Sequence, residues 1–343
     1  MKIVDKKINE VLNEKKVNSK FFTVKNENQN IECNILTQNF YLDSFNYFPL
    51  TEEYYSFFET FAWGDILKYN NFYSDEFLKN FQKNLENFSS MSDIFILGSN
   101  SFNNYYSNLF NFLPRIFFIK EKKIKLAVHR NSSTKFRNFI FYLCEQMNIK
   151  IQLVYLDDGF YKFSNSQIPQ FFDTSNSIKI LSSIEAQRKT NKHKIYITRR
   201  NDSFRNLINE GDVIKKLKKL DFKIVDLKSL EIIDQVNLFA NASCVISATG
   251  SGLANIVFCK PGTKIIEISP RYQFEYERHL KSRYSFVANK LDLEYLRLEA
   301  DSIEIKNINT DIKNIIPQKI IKNSNYYKNL LVKLNDIENI LDY

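Results

Sequence analysis

Short apolar runs of strand length alternate with helical patterns through the second half of the chain. Four of these runs are rich in β-branched residues and apolar at almost every position: Lys194–Thr198, Phe222–Asp226, Cys244–Ala248 and Lys264–Ile268. Strands that are apolar on both sides are typical of a parallel sheet covered by helices on each face. We therefore expect a Rossmann-like α/β domain, in which ligands bind at the carboxyl ends of the strands.

A second, weaker α/β pattern lies in the first half. A helical pattern over Asn103–Arg115 stops at Pro114, and Thr51–Asp65 has the pattern of a capped, aromatic-rich helix. The remaining predicted elements are strands at 30–36, Asp93–Leu97, Lys125–His129 and Lys150–Leu156, and a helix over Ser133–Met147.

The low-pattern stretch 163–181, which contains Ser, Asn and Pro, is predicted to be the linker between the two halves. The predicted domains are 1–175, 176–310 and a helical tail, 311–343. The tail has an amphipathic stretch over Tyr326–Leu341, which we expect to be a helix packed back on the body. The predicted fold class is α/β with two Rossmann-like domains facing a cleft. That arrangement is typical of two-domain sugar-transfer enzymes of the GT-B type, although a fold alone does not fix a function.

A net charge of +9 favours anionic partners: nucleoside diphosphates, acidic lipid headgroups or nucleic acid. The basic residues are spread along the chain without a nucleic-acid motif, so nucleic acid is not expected as a partner. The lysines of the run 215–219 are predicted to form a solvated helix face. The alternative is peripheral contact with an anionic membrane.

The four cysteines are far apart, and three lie in apolar runs, a usage typical of buried free thiols in a reducing compartment. The first residues have no apolar core like that of a signal peptide, and no apolar run approaches the ~20 residues that span a bilayer. We expect a cytoplasmic protein, at most peripheral on the inner face of the membrane.

Thr249-Gly250-Ser251-Gly252 follows the third of the four strands and precedes a helical pattern. Two glycines at such a junction allow a tight turn and leave N–H groups exposed at the helix start. These donors and the helix dipole suit a pyrophosphate. The alternative is that the glycines serve only the turn.

Arg199 and Arg200 directly follow the first of the four strands. Successive strand residues point to opposite sides, so we expect only one of the two to reach a ligand. A guanidinium there can bind a phosphate in a forked manner, or it can pair with Glu210. Glu267 lies inside the last strand, and a carboxylate buried there must be paired or bind a hydroxyl such as that of a ribose.

Asp157 and Asp158 are adjacent carboxylates at a predicted strand end in the first half. Either can act as the general base for an acceptor hydroxyl, whereas Asp-Asp-Gly is also ordinary turn chemistry. The three histidines have no metal-ligand spacing, and no Asp-x-Asp pair has a suitable context. We therefore expect no metal and no cofactor.

Four passages together resemble glycosyltransferase family 61, which includes bacterial capsular-polysaccharide enzymes, plant xylosyltransferases and eukaryotic O-linked GlcNAc transferases. These passages are NYYSNLFNFLPR, YITRRNDSFRNLINE, LEIIDQVNLFANASCVISATGSGLANIVFCKPGTKIIEI and YSFVANKLDLEYL. The resemblance is densest over residues 194–298.

The resemblance implies a GT-B-like fold and inverting, metal-independent transfer from a nucleotide sugar. The acceptor it implies is a glycan or lipid-linked glycan in capsule, lipopolysaccharide or other surface-polysaccharide synthesis. By motif, the residues assigned to the donor side are Arg199, Arg200, Gly250, Gly252 and Glu267, with Thr249 and Ser251 in the same turn. The acceptor side receives Tyr106, Asn111 and Arg115.

The chain departs from the family pattern at titratable positions. Thr249 and Ser107 stand where the family has histidines, and Asn111 stands at an acidic position. Either Asp157 or Asp158 supplies the base, or the chain is a catalytically inactive nucleotide- or glycan-binding scaffold of the same fold. A Rossmann-type oxidoreductase is disfavoured because no Gly-x-Gly-x-x-Gly follows a first strand.

Overall fold

The computed structural model describes residues 2–4, 20–44, 47–53, 55–57, 79, 81–98, 104–187, 192–200, 202–274, 277–305 and 324–342. It divides into two compact units, residues 1–180 and 181–343. Each unit combines sheet and helices, so the chain is mixed α/β, as expected.

The described part of the first unit contains ten strands. In chain order they are β1 (Lys2–Val4), β2 (Phe21–Asn26), β3 (Ile31–Asp43), β4 (Phe48–Thr51), β5 (Tyr55–Phe57), β6 (Ser89–Ser92), β7 (Ile94–Ile96), β8 (Lys123–His129), β9 (Lys150–Leu156) and β10 (Phe160–Pro169). The main sheet has the order β2-β3-β10-β7-β8-β9, with β4 on β3 and β6 on β10, while β1 pairs with β5.

Only part of this main sheet follows the parallel pattern expected of a Rossmann-like domain. Strands β7, β8 and β9 run parallel, whereas β3 is antiparallel to both β2 and β10. The sheet is therefore mixed. The antiparallel strands come mostly from residues 1–57, where the sequence pattern is weakest.

The helix Thr134–Gln146 forms where the sequence predicts it. The Ser133 side chain caps it by accepting a 3.1 Å hydrogen bond from the N–H of Phe136. A stripe at helical spacing, which includes Phe139, Ile140 and Leu143, is buried. This face anchors the helix on the unit's core.

The predicted linker over 163–181 is wrong. Residues 160–169 form β10, which lies between β3 and β7, and Thr174–Ser182 is a helix. The polar residues of this stretch resemble those of a linker, but they belong to a strand that has a β-bulge between Phe163 and Ser166. There the Ser166 hydroxyl donates to the carbonyl of Ser164 at 2.8 Å and accepts the N–H of Ile94 at 3.1 Å, so it is buried without loss of hydrogen bonds.

Two predicted helices of the first unit also differ. The pattern over Asn103–Arg115 is helical but continues through Pro114 to Phe118, as Tyr105–Ser107, a π-helical turn Asn108–Phe112 and a 3-10 helix Leu113–Phe118. Proline is tolerated there because it occupies the start of the 3-10 helix. Within Thr51–Asp65, residues 55–57 form β5, and residues 54 and 58–65 lie outside the described part of the chain.

The second unit is built on a six-stranded sheet. Its strands are β11 (His193–Ile197), β12 (Phe222–Val225), β13 (Ala242–Ala248), β14 (Lys264–Pro270), β15 (Glu294–Ile303) and β16 (Asn329–Leu331), in the order β12-β11-β13-β14-β15-β16. The first five run parallel and β16 is antiparallel to β15. The four predicted strands therefore form the parallel sheet that their apolar character indicated.

Both faces of this sheet are buried. Alternate residues such as Ile246 and Ile266 pack into a core that includes Leu217 of the helix Glu210–Lys219. The intervening Val245 and Ile265 are equally buried. The other helical elements described in this unit are the α-helices Ile232–Ala240, Arg278–Lys290 and Leu334–Asp342 and the 3-10 helices Leu227–Ser229, Ser251–Phe258 and Asn325–Tyr327.

The carboxyl-terminal tail is only partly helical. The amphipathic stretch predicted over Tyr326–Leu341 is a 3-10 turn, then strand β16, and then the helix Leu334–Asp342. Leu330 and Ile337 are buried in the same core as Leu217. The terminal helix thus packs back on the second unit, as expected.

Candidate functional site

The candidate site lies where the strand order of the second sheet reverses. From β11 the chain moves outward to β12, then returns to the other side of β11 to form β13. In open parallel sheets this switch point leaves a crevice outside the carboxyl ends of the two central strands. The residues that follow these two strands are Thr198-Arg199-Arg200 and Thr249-Gly250-Ser251-Gly252.

Arg199 and Gly250 are in direct contact at this point. A Cβ built on Gly250 would lie 1.8 Å from Nη1 of Arg199, so the guanidinium occupies the space of the missing side chain. Nη2 of Arg199 also pairs with Asp202 at 2.8 Å. The structure therefore brings the predicted arginine and glycine turn together.

Burial changes the electrostatics of Arg199. Its side chain is 13% exposed, and burial together with neighbouring Arg205 lowers the pKa of the guanidinium to about 10. It therefore remains a cation at neutral pH. Its Nε has no hydrogen-bond partner within the described residues. A desolvated cation with a free donor is suited to bind an anion.

Arg200 adopts the alternative arrangement. Its side chain is mostly exposed, and its Nε pairs with the buried Glu210 at 2.8 Å. The other carboxylate oxygen of Glu210 accepts from the hydroxyls of Tyr196 and Thr198, each at 2.9 Å, and from the N–H of Arg199 at 3.2 Å. Glu210 thus fixes the end of β11. Phosphate contact by Arg200 stays a prediction.

The glycine turn opens the 3-10 helix Ser251–Phe258. The buried Thr249 donates its backbone N–H to the carbonyl of Ile268 at 2.8 Å, and the carbonyl of Gly250 accepts from Tyr284 at 2.6 Å. A Cβ on Gly252 would meet Cδ1 of Leu227 at 2.9 Å. Close packing at both glycines therefore accounts for them without a ligand, and anion binding by the turn stays a prediction.

Glu267 is fully buried in β14. Tyr295 donates a hydrogen bond to its Oε2, and Nη2 of Arg297 is 3.9 Å from the same oxygen. Burial raises the pKa of this carboxyl and outweighs the opposing effects of the neighbouring hydroxyls and arginines. Its Oε2 thus has a hydrogen-bond partner, its Oε1 has none in the described part of the chain, and ribose binding stays a prediction.

Arg205 is a further arginine of this site, which the sequence analysis did not single out. It lies in the loop between β11 and the helix Glu210–Lys219, yet it is only 5% exposed. Its Nε and Nη1 have no hydrogen-bond partner in the described part of the chain. Its position six residues after Arg199 offers a sequence signal, but a loop arginine gives no indication that it will be buried.

The two candidate bases lie in the first unit, in the loop between β9 and β10. Asp157 is paired through both oxygens with Arg130, at 2.5 and 3.1 Å, and this hydrogen bonding lowers the pKa of the carboxyl. Asp158 Oδ1 is 2.8 Å from Nε2 of the buried His129, whose Nδ1 accepts the N–H of Asn131. With Nδ1 an acceptor, Nε2 carries the proton and donates to Asp158. Arg130 engages both oxygens of Asp157, whereas His129 engages only Oδ1 of Asp158, which makes Asp158 the better placed base.

The residues assigned to the acceptor side have unequal exposure. Tyr106 stacks on Phe110 with a centroid distance of 4.6 Å, and both Tyr106 and Asn111 are partly exposed. Arg115 is fully buried and donates to the Tyr47 hydroxyl and to the Leu97 carbonyl, each at 2.6 Å. Arg115 thus holds the core of its unit together, and its contact with an acceptor stays a prediction.

All four cysteines are buried and none forms a disulfide. Burial raises the pKa of the Cys144 thiol to about 12 and that of the Cys244 thiol to about 11, so both are unreactive. Among the described residues, no three His, Cys, Asp or Glu side chains lie together as a metal site would require. Metal independence stays a prediction. No helix in the described ranges is long and apolar enough to span a membrane.

The family model "Glycosyltransferase 61" matches residues 105–266 of the chain. The match covers just under half of the chain and supports membership of glycosyltransferase family 61. The match includes the candidate bases, the arginines and the glycine turn, and it ends one residue before Glu267. No curated protein matches the chain. Membership of a glycosyltransferase family supports transferase activity, with a nucleotide sugar and a glycan as the general substrate classes.

Proposed function

We propose that this family 61 protein transfers a sugar from a nucleotide-sugar donor to a glycan, and that its second unit binds the nucleoside diphosphate. The single observation that carries the proposal is the contact between Arg199 and Gly250 at the switch point of the sheet. Family membership alone would leave the donor site unplaced.

The charge distribution at this site suits a diphosphate. Arg205 is close enough to Arg199 to help lower its pKa; Arg205 is buried and the side chain of Arg199 is only 13% exposed. Two like charges held together in a low-dielectric environment repel each other, and a bound diphosphate removes that repulsion. The same cations stabilise the negative charge that develops on the leaving nucleotide, which is the task of a metal ion in other transferases.

In the proposed inverting reaction, an acceptor hydroxyl attacks the anomeric carbon from the face opposite the nucleotide. The new carbon–oxygen bond forms as the bond to the β-phosphate oxygen breaks, and the electron pair leaves with the diphosphate. Asp158 takes the proton of the acceptor hydroxyl as general base. His129 donates to the other carboxylate oxygen and orients it. In this proposal the reaction requires no metal or other cofactor.

The first unit is proposed to form the acceptor side of a GT-B-like enzyme, with Tyr106, Asn111 and Arg115 as its residues. This assignment rests on the family resemblance. The proposed acceptor is a glycan or lipid-linked glycan of capsule, lipopolysaccharide or a related surface polysaccharide. A cytoplasmic location fits the four buried free thiols. Peripheral contact with an anionic membrane is part of the proposal and fits the net charge of +9.

A thermal-shift panel tests this function. UDP, GDP and CMP, and the sugar nucleotides built on them, are added singly to the protein at concentrations up to the millimolar range. At least one is expected to raise the melting temperature, because a ligand that binds only the folded state stabilises it. No shift with any of them contradicts the proposal.

A binding protein without transfer activity is the second candidate. Ser107 and Thr249 replace the histidines of the family pattern, and both are almost fully buried, at 2% and 3% exposure. They therefore offer no titratable group to a substrate. Nucleotide binding without turnover across a broad acceptor panel supports this candidate, and detected transfer eliminates it.

A further inference from the structure

The loop that carries Arg205, residues 204–209, is joined to a C-terminal segment, residues 324–332. The backbone N–H of Arg205 donates to the carbonyl of Lys328 at 2.9 Å. Two more backbone hydrogen bonds, of 2.8 and 2.9 Å, join the loop to Leu330 of β16. The loop is thus joined to β16 through an isolated parallel bridge between Leu207 and Leu330, although the bonded residues are 123 positions apart.

Side chains strengthen this connection. Oδ1 of Asn329 accepts the N–H of Asn206 at 3.1 Å, and Nδ2 of Asn209 donates to the carbonyl of Val332 at 2.7 Å. Each bond joins a side chain of one partner to the backbone of the other. The register between loop and segment is therefore fixed from Arg205 to Asn209.

The other end of the C-terminal segment is tied to the loop that follows β14. Nδ2 of Asn325 donates to the carbonyl of Arg271 at 2.9 Å, and the Ser324 hydroxyl donates to the buried Glu277. The second oxygen of Glu277 accepts the N–H groups of Gln273 and Phe274, at 3.0 and 3.1 Å. One segment thus connects the loops that follow β11 and β14, on either side of the glycine turn.

Arg205 itself has an unusual backbone conformation and unusual side-chain surroundings. Its φ of 61° is in the left-handed region, which side chains of this size rarely adopt. Its guanidinium lies over the ring of Tyr326, with Cζ 3.8 Å from the centroid, and within 4.5 Å of the Phe204 centroid. These aromatic faces cover the cation, but they give no acceptor to its Nε and Nη1. A buried guanidinium with unused donors destabilises the folded protein unless an anion accepts hydrogen bonds from those donors.

The surroundings of Tyr326 show the same excess of positive charge. Burial would raise the pKa of this phenol, yet Arg205, Arg283 and Arg199 together lower it. Three arginines therefore act on one phenol. Asp202 pairs with Arg199. No such ion pair joins Arg205 to a carboxylate in the described residues, and the carboxyl on which Arg205 acts is that of Glu267, whose pKa it helps to lower.

We infer that the C-terminal segment 324–332 completes the diphosphate site by holding Arg205 in place as a second phosphate-binding cation beside Arg199. The inference rests on the proposed function and extends it. It assigns a binding role to a segment that lies outside the family-model match of residues 105–266. The ligand class is a diphosphate, with Arg205 donating to one phosphate and Arg199 to the other.

Calorimetric titration of the full chain with inorganic pyrophosphate, inorganic phosphate, UDP and GDP tests the inference. Arg205→Gln removes the cation, and we expect pyrophosphate to bind about 10- to 100-fold more weakly, the range for a lost charge-assisted hydrogen bond. Arg205→Lys keeps the charge but loses the planar donors, so a smaller loss is expected. The lysine variant also serves if the glutamine variant does not fold.

Asn329→Ala tests the positioning role of the segment. We expect Asn329→Ala to reduce the ratio of the affinity for pyrophosphate to the affinity for phosphate. A general loss of stability would not change this ratio. Asn289→Ala, at an exposed helix position, is the matched control. Lys215→Gln is the control for the lost cation, because Lys215 is 81% exposed and lies in the same unit. Neither control is expected to change the ratio.

The outcomes separate the inference from the proposed function. Equal pyrophosphate affinity in wild type and Arg205→Gln overturns the inference and leaves nucleotide binding in place. Pyrophosphate binding that depends on Arg205, without binding of UDP, GDP or their sugars, supports the anion site and contradicts the proposed donor. A wild-type protein that binds none of the four probes overturns both.

Discussion

Arg199 and Gly250 touch because position 250 has no side chain. The glycine is needed for space and not for backbone freedom, since its φ of 171° is an extended conformation open to any residue. The sequence indicated a glycine turn and an arginine at two strand ends. That the guanidinium fills the place of the missing Cβ depends on the positions of both strands.

We expect Gly250→Ala to weaken nucleotide binding at least tenfold and to destabilise the protein by about 1–3 kcal/mol, the usual range for overpacking. The new methyl group would displace Nη1 of Arg199. Urea unfolding and nucleotide titration measure the two effects.

Gly211→Ala is the control, because nothing lies within 4 Å of its Cβ position, in the first turn of a helix. It should be neutral or stabilise by up to about 1 kcal/mol. Unchanged affinity in Gly250→Ala would contradict the role of this contact.

Glu267 gives a pH-dependent prediction. Its pKa is raised in the folded state from an ordinary value of 4.5. The folded protein therefore holds a proton that the unfolded chain releases above about pH 4.5, and stability is lost as pH rises through the raised pKa. Glu267→Gln does not titrate, so the melting temperature of the variant minus that of wild type should increase from pH 4.5 upward.

Glu294→Gln is the matched control, since Glu294 is exposed at the start of β15. The difference in melting temperature between Glu294→Gln and wild type should not change with pH over the same range. A flat difference for Glu267→Gln as well would show that the folded protein does not raise this pKa.

At the scale of elements, Glu210 links β11 to the helix that follows it. It is the first residue of that helix, and it collects two hydroxyls, one backbone N–H and Arg200. The sequence predicted strand and helix from their apolar patterns. It left open whether Arg200 pairs with Glu210 or with a phosphate, because both arrangements satisfy the same local pattern.

Glu210→Ala should destabilise the protein by about 3–5 kcal/mol, since removal of one partner from a buried pair leaves the others unpaired. Asp212→Ala removes an exposed carboxylate from the same helix turn, and its effect should stay below about 1 kcal/mol. Denaturant unfolding of both variants measures the difference. Similar losses in the two would contradict the organising role of Glu210.

Element prediction succeeded where burial repeated with a clear period and failed where polar residues were buried. Strands β11 to β14 were correct because apolar residues dominate each of them. Strand β10 was taken for a linker because its buried Ser166 finds hydrogen bonds only within the folded sheet. Strand β16 was taken for helix because the spacing of Leu330 from Leu334 fits a helix as well.

At the scale of the molecule, the proposed reaction needs a base from the first unit and a donor from the second. We expect Asp158→Asn to lower the transfer rate about 100- to 10,000-fold, the usual contribution of a general base, while nucleotide affinity is unchanged. Asp301→Asn, at an exposed strand position, is the control. Measured transfer and nucleotide titration on both variants check this. Wild-type rates in Asp158→Asn would remove that residue from the mechanism.

The sequence by itself determined the α/β class, the four parallel strands of the second unit and the resemblance to the family, because these depend on local periodicity and on motifs contiguous in the chain. The tertiary structure decided which arginine faces the glycine turn, that Glu267 is paired, and that Arg205 is buried under Tyr326. Those features join residues that are dozens to more than a hundred positions apart. Their contacts arise from strand order and loop packing, to which no local pattern in the chain corresponds.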